Sequence, residues 1–309
     1  MKTVVFGYHE IGYVCLEELI AYKAGVQVQC LFTHRDDPKE EVWFRRPVMI
    51  AEKNAIPVYT PDNLKDPKWR KMIESLKPDV IFSFYYRNMI PMDIIGIPRI
   101  GAFNLHGSLL PKFRGRAPVN WVLVAGEKKT GVTLHYMVEK PDAGDIIAQR
   151  EVDIAFDDTA RTLFMKIADA ARILMREILP KIEKGVFERI PQTGESTYFG
   201  GRKPEDGIIW WEKDNITIYN LIRAVTHPYP GAFTYMDGRK LFIWWAVPVE
   251  GACSTQQPGS VVSADPLIVS TGKGMLRLIK VQLEGDKEME GKDFAAIYDI
   301  KNKILGGHN

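Results

Sequence analysis

Short apolar runs alternate with amphipathic stretches through the first two thirds of the chain. Thr3–Phe6 reads as a buried strand, and Gly12–Ala24 as a helix with Leu16, Leu19, Ile20 and Lys23 on one side, stopped by Gly25. Val26, Val28, Cys30 and Phe32 alternate with Gln27, Gln29 and Leu31, which predicts a second strand. A helix over Pro47–Asn54 and a short strand at Pro57–Tyr59 follow. Asp66-Pro67 opens the next helix, because an acid suits the cap and proline the first helical position; it closes near Leu76. Asp79–Phe84, Ile100–His106 and Gly131–Met137 read as further strands. Strands separated by helices predict βαβ units and a mostly parallel sheet with helices on both faces. In Asp158–Leu179, Leu163, Ile167, Ala170, Leu174 and Ile178 recur at helical spacing, and Pro180 is expected to kink or end that helix.

The pattern then changes. Thr193–Gly207 is rich in glycine, proline and charge and reads as a linker. Asp214–Val225 is a capped helix. Phe233–Met236, the Asp237-Gly238 turn, Leu241–Val247, Ser260–Ser263, Leu267–Ser270, the Gly272-Lys273-Gly274 turn and Met275–Leu283 follow, a run of short strands that predicts a small antiparallel barrel.

At 309 residues the chain can bury a substantial core. Its 41 basic and 39 acidic residues leave a formal charge of +2, so no global field draws it to nucleic acid or anionic lipid. Cys15, Cys30 and Cys253 form no CxxC pair and are odd in number, which argues against a disulfide framework or a cysteine-built zinc site and fits a reducing cytoplasm. Met1-Lys2 runs directly into Thr3–Phe6, so no secretory signal is expected, and no apolar run approaches a membrane span.

The densest chemistry lies between Phe103 and Pro118. Asn104 and His106 are two apart at a strand end and therefore share a side of the pleat. In open α/β sheets ligands bind outside the carboxyl ends of strands. An amide donor and an imidazole converging there suit acyl transfer, where both can stabilise an oxyanion and the imidazole can move a proton. The plainer alternative is a loop cap and a structural histidine; the pairing at a strand end favours function. Asp142 and Asp145 both sit in a turn-forming Pro-Asp-Ala-Gly-Asp stretch, and local chemistry does not separate them. Gly7-Tyr8-His9-Glu10-Ile11-Gly12 lacks the spacing of a dinucleotide loop, and His9 is expected to face solvent or bond within its loop. His34, His135 and His227 are scattered and show no metal-ligand spacing, so no metal site is expected. Lys39–Arg46 reads as a solvated connection, and Trp210-Trp211 and Trp244-Trp245 as core or interface of the second part.

Asn104-Leu105-His106, followed by Ser108-Leu109-Leu110-Pro111-Lys112-Phe113-Arg114-Gly115 and an aspartate about one strand later, resembles the folate-dependent formyltransferase family. Ile81–Arg87, Ala117–Val124 and Thr130–His135 extend the likeness toward the members that formylate UDP-4-amino-4-deoxy-L-arabinose. The resemblance implies a Rossmann-like domain over residues 1–200 and a small OB-like β-barrel over 201–309. It implies His106 as acid/base, Asn104 as oxyanion donor and Asp142 as the partner keeping His106 protonated. It further implies that Asn88, Met89, Ile90, Arg116, Val138, Glu139, Lys140 and Pro141 hold 10-formyltetrahydrofolate, the co-substrate. The acceptor would be a nucleotide-linked amino sugar, with no nucleic-acid partner and no membrane insertion; the sequence sets no oligomeric state. Such members usually carry a second, dehydrogenase domain, for which this length leaves no room, so a free-standing transferase or an excised domain is expected. The rival within the family is methionyl-tRNA formyltransferase. It typically has Arg-Gly-Ala-Ala-Pro at Arg114–Pro118 and a basic loop where Arg35–Glu41 is mixed in charge.

Overall fold

A computed structural model describes residues 1–36, 38, 41–251 and 255–306. Two compact units are present: Met1–Pro118 with Lys129–Ile154 and Phe164–Gly200, and Val119–Lys128 with Ala155–Leu163 and Gly201–Asn309. In chain order the elements are β1 (Lys2–Gly7), α1 (His9–Ala21), β2 (Gln27–Phe32), α2 (Pro47–Lys53), β3 (Val58–Tyr59), α3 (Pro67–Leu76), β4 (Val80–Phe84), α4 (Met92–Ile95), β5 (Gly101–His106), β6 (Arg114–Gly115), α5 (Pro118–Val124), β7 (Lys129–Tyr136), β8 (Ile146–Asp153), α6 (Ala160–Lys184) and β9 (Tyr198–Phe199). Then come α7 (Asn215–Val225), β10 (Ala232–Met236), β11 (Arg239–Pro248), β12 (Val261–Ala264), β13 (Leu267–Ser270), β14 (Met275–Leu283), β15 (Met289–Glu290) and α8 (Gly291–Ile297).

The first unit is built on a seven-stranded sheet of order β3-β2-β1-β4-β5-β7-β8. The strands from β3 to β5 run parallel, whereas β7 and β8 run antiparallel. Every residue of β4 is buried, as expected of a strand covered on both faces. The strand order reverses between β1 and β4, so the carboxyl ends of these strands and of β5 frame the usual ligand crevice. Val4, Phe6, Cys30, Phe32, Ile73, Ile81, Ile94 and Ala102 form one core beneath it. Helix α3 starts as the sequence predicts: Asp66 accepts the Lys68 N–H at 3.0 Å and Pro67 follows it. Helix α1 begins three residues earlier than expected, at His9. Gly12 lets this first turn pack closely, since a Cβ there would lie 2.9 Å from the Pro47 ring and 3.2 Å from the Gly7 backbone. Pro180 does not end α6, which continues to Lys184. Proline removes a single N–H from the ladder, and fully buried Ile182 beyond it keeps the last turn packed. Cys15 and Cys30 are buried free thiols, and burial pushes the Cys30 thiol up to about 12. Cys253 lies outside the described residues.

The second unit holds a six-stranded antiparallel sheet of order β10-β11-β14-β13-β12, with β15 on β14. Asp237 and Gly238 join β10 to β11 with φ of 50° and 78°, the positive pair that tight hairpins require. Asp214 caps α7 by accepting the Thr217 N–H at 3.0 Å. Trp211 and Trp244 are buried and donate their indole N–H groups to Thr234 (3.0 Å) and Gln282 (2.9 Å), while Trp210 is exposed. Among the described residues no helix is long and apolar enough to cross a membrane.

Candidate active site

Strand β5 carries the site. Its residues on one face run from Ala102, in the apolar core, to Asn104 and then His106. The antiparallel register with β7 sets His135 opposite Asn104 and Thr133 opposite His106, and directly opposed residues share a face. Asn104 Nδ2 lies 3.2 Å from His135 Nε2. His135 Nδ1 lies 2.8 Å from the Tyr136 carbonyl, which can only accept, so a ring protonated on Nδ1 donates there and accepts the Asn104 N–H on Nε2.

Asp142 closes over this face from the turn after β7. Its backbone is left-handed, with φ of 54°. Oδ1 is 3.6 Å from His106 Nδ1, 3.5 Å from His135 Nε2 and 3.4 Å from Asn104 Nδ2. Oδ2 accepts the Gly115 N–H at 2.9 Å. The structure thus gathers Asn104, His106 and Asp142, adds His135, and turns Asp145 instead to Arg189 at 2.9 Å.

The loop after β5 is fixed by polar contacts within its own unit. Ser108 donates to the Lys112 carbonyl (2.7 Å), and Thr133 donates to the Ser108 carbonyl (2.7 Å) while accepting the Leu110 N–H (3.1 Å). Gln149 donates to the Leu110 carbonyl at 2.9 Å. Segment Thr197–Phe199, placed in a linker by sequence pattern, is instead a wall of this loop: Thr197 Oγ1 accepts the Phe113 N–H at 2.8 Å, and β9 pairs with β6. This geometry delivers the Phe113 carbonyl to His106 Nε2 at 2.7 Å.

Both nitrogens of His106 therefore face oxygen acceptors, a setting that suits the imidazolium. Burial opposes it: His106 is 6% exposed, and desolvation carries its pKa below the usual histidine range despite the pull of Asp142 and the Phe113 carbonyl, with His135 adding to the fall. Burial thus works against the protonated ring expected from the sequence, while Asp142 and the Phe113 carbonyl favour it. Burial raises the Asp142 carboxyl, but the two imidazoles and the Gly115 N–H outweigh it and hold the group well below the usual carboxylate range.

The other sequence-predicted positions sit around rather than within this cluster. Asn88 and Met89 are exposed on the segment leaving β4, Met89 at 65%. The Ile90 side chain is buried in the core, leaving only its backbone to a ligand. Arg116, Val138, Glu139, Lys140 and Pro141 are exposed. His9 is not solvent-facing: it stacks on Phe44 at 3.5 Å between ring centres, and burial, then the Arg87 charge, lowers its pKa to about 3. The described part of the Lys39–Arg46 stretch is an irregular, largely exposed connection, as expected, that also makes specific contacts. Trp43 packs on Phe164, and Arg45 bonds buried Glu10; Lys39 and Glu40 lie outside the described residues. His135 was missed because no spacing rule reveals which residue of one strand opposes Asn104 on another. Among the described residues no group of three or more His, Cys, Asp or Glu is arranged to hold a metal ion.

Residues 1–179 match the formyl transferase family and residues 202–299 the formyl transferase C-terminal domain. Among solved structures, an N-formyltransferase from Helicobacter canadensis, in complex with folinic acid and dTDP-3-aminofucose, is similar at 20% identity. That match has a TM-score of 0.69 and covers 94% of this chain and 100% of that one. A HypX variant from Aquifex aeolicus is similar at 18% identity and TM-score 0.65; the match covers 98% of this chain but 48% of HypX, so the chain spans about half the length of that relative. Methionyl-tRNA formyltransferase from Clostridium thermocellum is similar at 21% identity and TM-score 0.58, with 82% of this chain and 95% of that one covered.

Proposed function

The chain belongs to the formyl transferase family, and on that premise we propose that it moves a formyl group from 10-formyltetrahydrofolate to the 4-amino group of UDP-4-amino-4-deoxy-L-arabinose or a closely related nucleotide-linked amino sugar. The observation that carries this reading is the meeting of Asn104, His106 and Asp142 at the carboxyl end of β5. The Helicobacter canadensis relative, solved with a folate and an amino sugar, supports the substrate class. Catalysis is assigned to residues 1–200, with 201–309 as a smaller second domain, working in the cytoplasm.

The amine nitrogen attacks the formyl carbon, a C–N bond forms, and the carbonyl oxygen becomes an oxyanion. The Asn104 carboxamide stabilises that oxygen, and the positive charge His106 gains on taking up the proton adds its field. The ammonium formed on attack loses a proton to neutral His106, and the resulting imidazolium is held between the Asp142 carboxylate and the Phe113 carbonyl. Collapse breaks the bond from the formyl carbon to N10 of the folate. N10 takes the proton that the amine lost, and His106 returns neutral. Asn88, Met89, the Ile90 backbone, Arg116 and Val138–Pro141 would hold the donor.

Methionyl-tRNA is the second reading, favoured by the similarity to the Clostridium thermocellum enzyme. Arg116 and the mixed charge of Arg35–Glu41 weigh against it. Incubating the chain with 10-formyltetrahydrofolate and UDP-4-amino-4-deoxy-L-arabinose, a dTDP-3-amino sugar or charged initiator tRNA, with products read by mass, decides the matter. A formylated UDP-sugar is expected. Formyl transfer to tRNA alone, or formate released without any acceptor, would overturn the proposal.

A further inference from the structure

We propose that Gln192 is a positioning residue of the transfer site, locking the 142–144 turn so that the Asp142 carboxylate stays lodged between His106 and His135. The proposal rests on the functional reading above and adds to it a residue fifty positions downstream of the one it serves.

The Gln192 side-chain amide donates to the carbonyls of Asp142 (2.8 Å) and Gly144 (2.7 Å). Its oxygen accepts from Arg114 Nη2 (2.6 Å) and Nε (3.2 Å). The Arg114 side chain is buried, and the next residue, Gly115, gives its N–H to Asp142 Oδ2 at 2.9 Å. These bonds close a ring: Asp142 carboxylate, Gly115, Arg114, Gln192 and back to the Asp142 main chain. The ring has a physical task. Asp142 is left-handed with φ of 54°, a conformation a non-glycine residue keeps only when its surroundings enforce it. From below, the turn lies close against the sheet at Gly144, where a Cβ would meet the Tyr136 carbonyl oxygen at 2.0 Å. From above, the double donation of Gln192 supplies the rest. The guanidinium strengthens that donation, since a charged donor on the amide oxygen polarises the opposite N–H groups. Arg114 is itself tied to the same segment, its N–H donating to the Thr197 carbonyl at 2.9 Å.

Two variants separate positioning from bulk stability. Gln192→Met removes both halves of the contact. Gln192→Glu keeps an acceptor for Arg114 but cannot donate to either carbonyl. In both, kcat is expected to fall about a hundredfold, the scale of a displaced catalytic group, with KM for donor and acceptor little changed. The titration midpoint of His106, followed by NMR of histidine-labelled protein and assigned with His106→Asn, is expected to move to lower pH. Asp142 is the charge that raises it, and the other titratable group on the ring, His135 of β7, lowers it. An activity-independent midpoint keeps the two ideas apart: if the wild type formylates nothing, the functional reading falls while the midpoint still tests Gln192. A His106 midpoint unmoved in Gln192→Met, which adds no charge, or wild-type kcat in Gln192→Glu, would overturn the proposal.

Discussion

Asp142 Oδ1 stands 3.6 Å from His106 Nδ1, close enough to bias the charge of the ring and too far for a tight hydrogen bond. The carboxylate therefore acts on His106 chiefly through its field, which burial of the ring opposes. Asp142→Asn keeps the shape and removes the charge. The imidazolium formed during transfer would then lose its counter-ion, and turnover is expected to fall about a hundredfold or more. The limb of the kcat–pH profile that reports His106 should also move to lower pH, because the attraction raising its pKa is gone. A full pH profile of the variant checks both; an unmoved limb would show that Asp142 acts by shape alone.

Asn104 and His135 make a second coupled pair, 3.2 Å apart across the β5–β7 register. Asn104→Ala should cost about a hundredfold to a thousandfold in kcat, the usual loss for one oxyanion donor. His135→Leu removes the nearer of the amide's two acceptors, leaving Asp142 Oδ1 at 3.4 Å, and should cost about tenfold, the scale of one hydrogen bond. If His135 works by aiming Asn104, the double variant will be no slower than Asn104→Ala. Additive losses in steady-state kcat would instead give His135 a separate part in the chemistry.

What the sequence revealed of this site was local, and what it hid was tertiary. Asn104 and His106 were legible because a period of two on one strand needs no knowledge of its neighbours. Asp142 could not be told from Asp145 by its own stretch, since the choice depends on a left-handed turn that folds back over the sheet. His135 and Gln192 were invisible for the same reason: register and a return of the chain after α6 place them. The parallel half of the sheet was read correctly from buried runs such as β4; β8 was not predicted, and the antiparallel course of β7 was not legible because a strand's own pattern carries no direction. Pro180 did not end the helix, because proline lowers helix propensity locally whereas packing of Ile182 decides the last turn.

Gly115 tests the loop rather than the side chains. Its φ is 96°, and a Cβ there would lie 2.1 Å from the Phe199 carbonyl oxygen, an immovable backbone atom of the paired strand β9. Gly115→Ala must distort the β6–β9 pair and the N–H that Asp142 Oδ2 accepts. The backbone strain alone should destabilise the fold by about 1–3 kcal/mol. Urea unfolding should show a lower midpoint at unchanged slope, and the variant that survives folding should have lost activity. A stable and active Gly115→Ala would mean that the Gly115–Asp142 contact is dispensable.

The histidines beside the crevice predict how the protein fails in acid. Burial, then the Arg87 charge, lowers His9 to about 3 and His34 to about 4, and the His34 ring accepts the Arg87 N–H at 2.9 Å. Unfolded, each would titrate near the ordinary histidine value of about 6.5. Between those limits the unfolded chain binds more protons than the folded one, so stability is fully present above about pH 6.5 and falls as pH drops below it. The loss from His34 ends near its folded value of about 4, and that from His9 runs on to about 3. Each ring adds a slope of at most about 1.4 kcal/mol per pH unit within its window. His9→Asn tests this, since asparagine tolerates the positive φ of 64° at that position and carries no titrating ring. The variant loses the stacking on Phe44 and should melt lower at pH 7.5, yet its melting temperature should decline less steeply between pH 6.5 and 4. Parallel declines in the two proteins would show that His9 takes up its proton without opposing the fold.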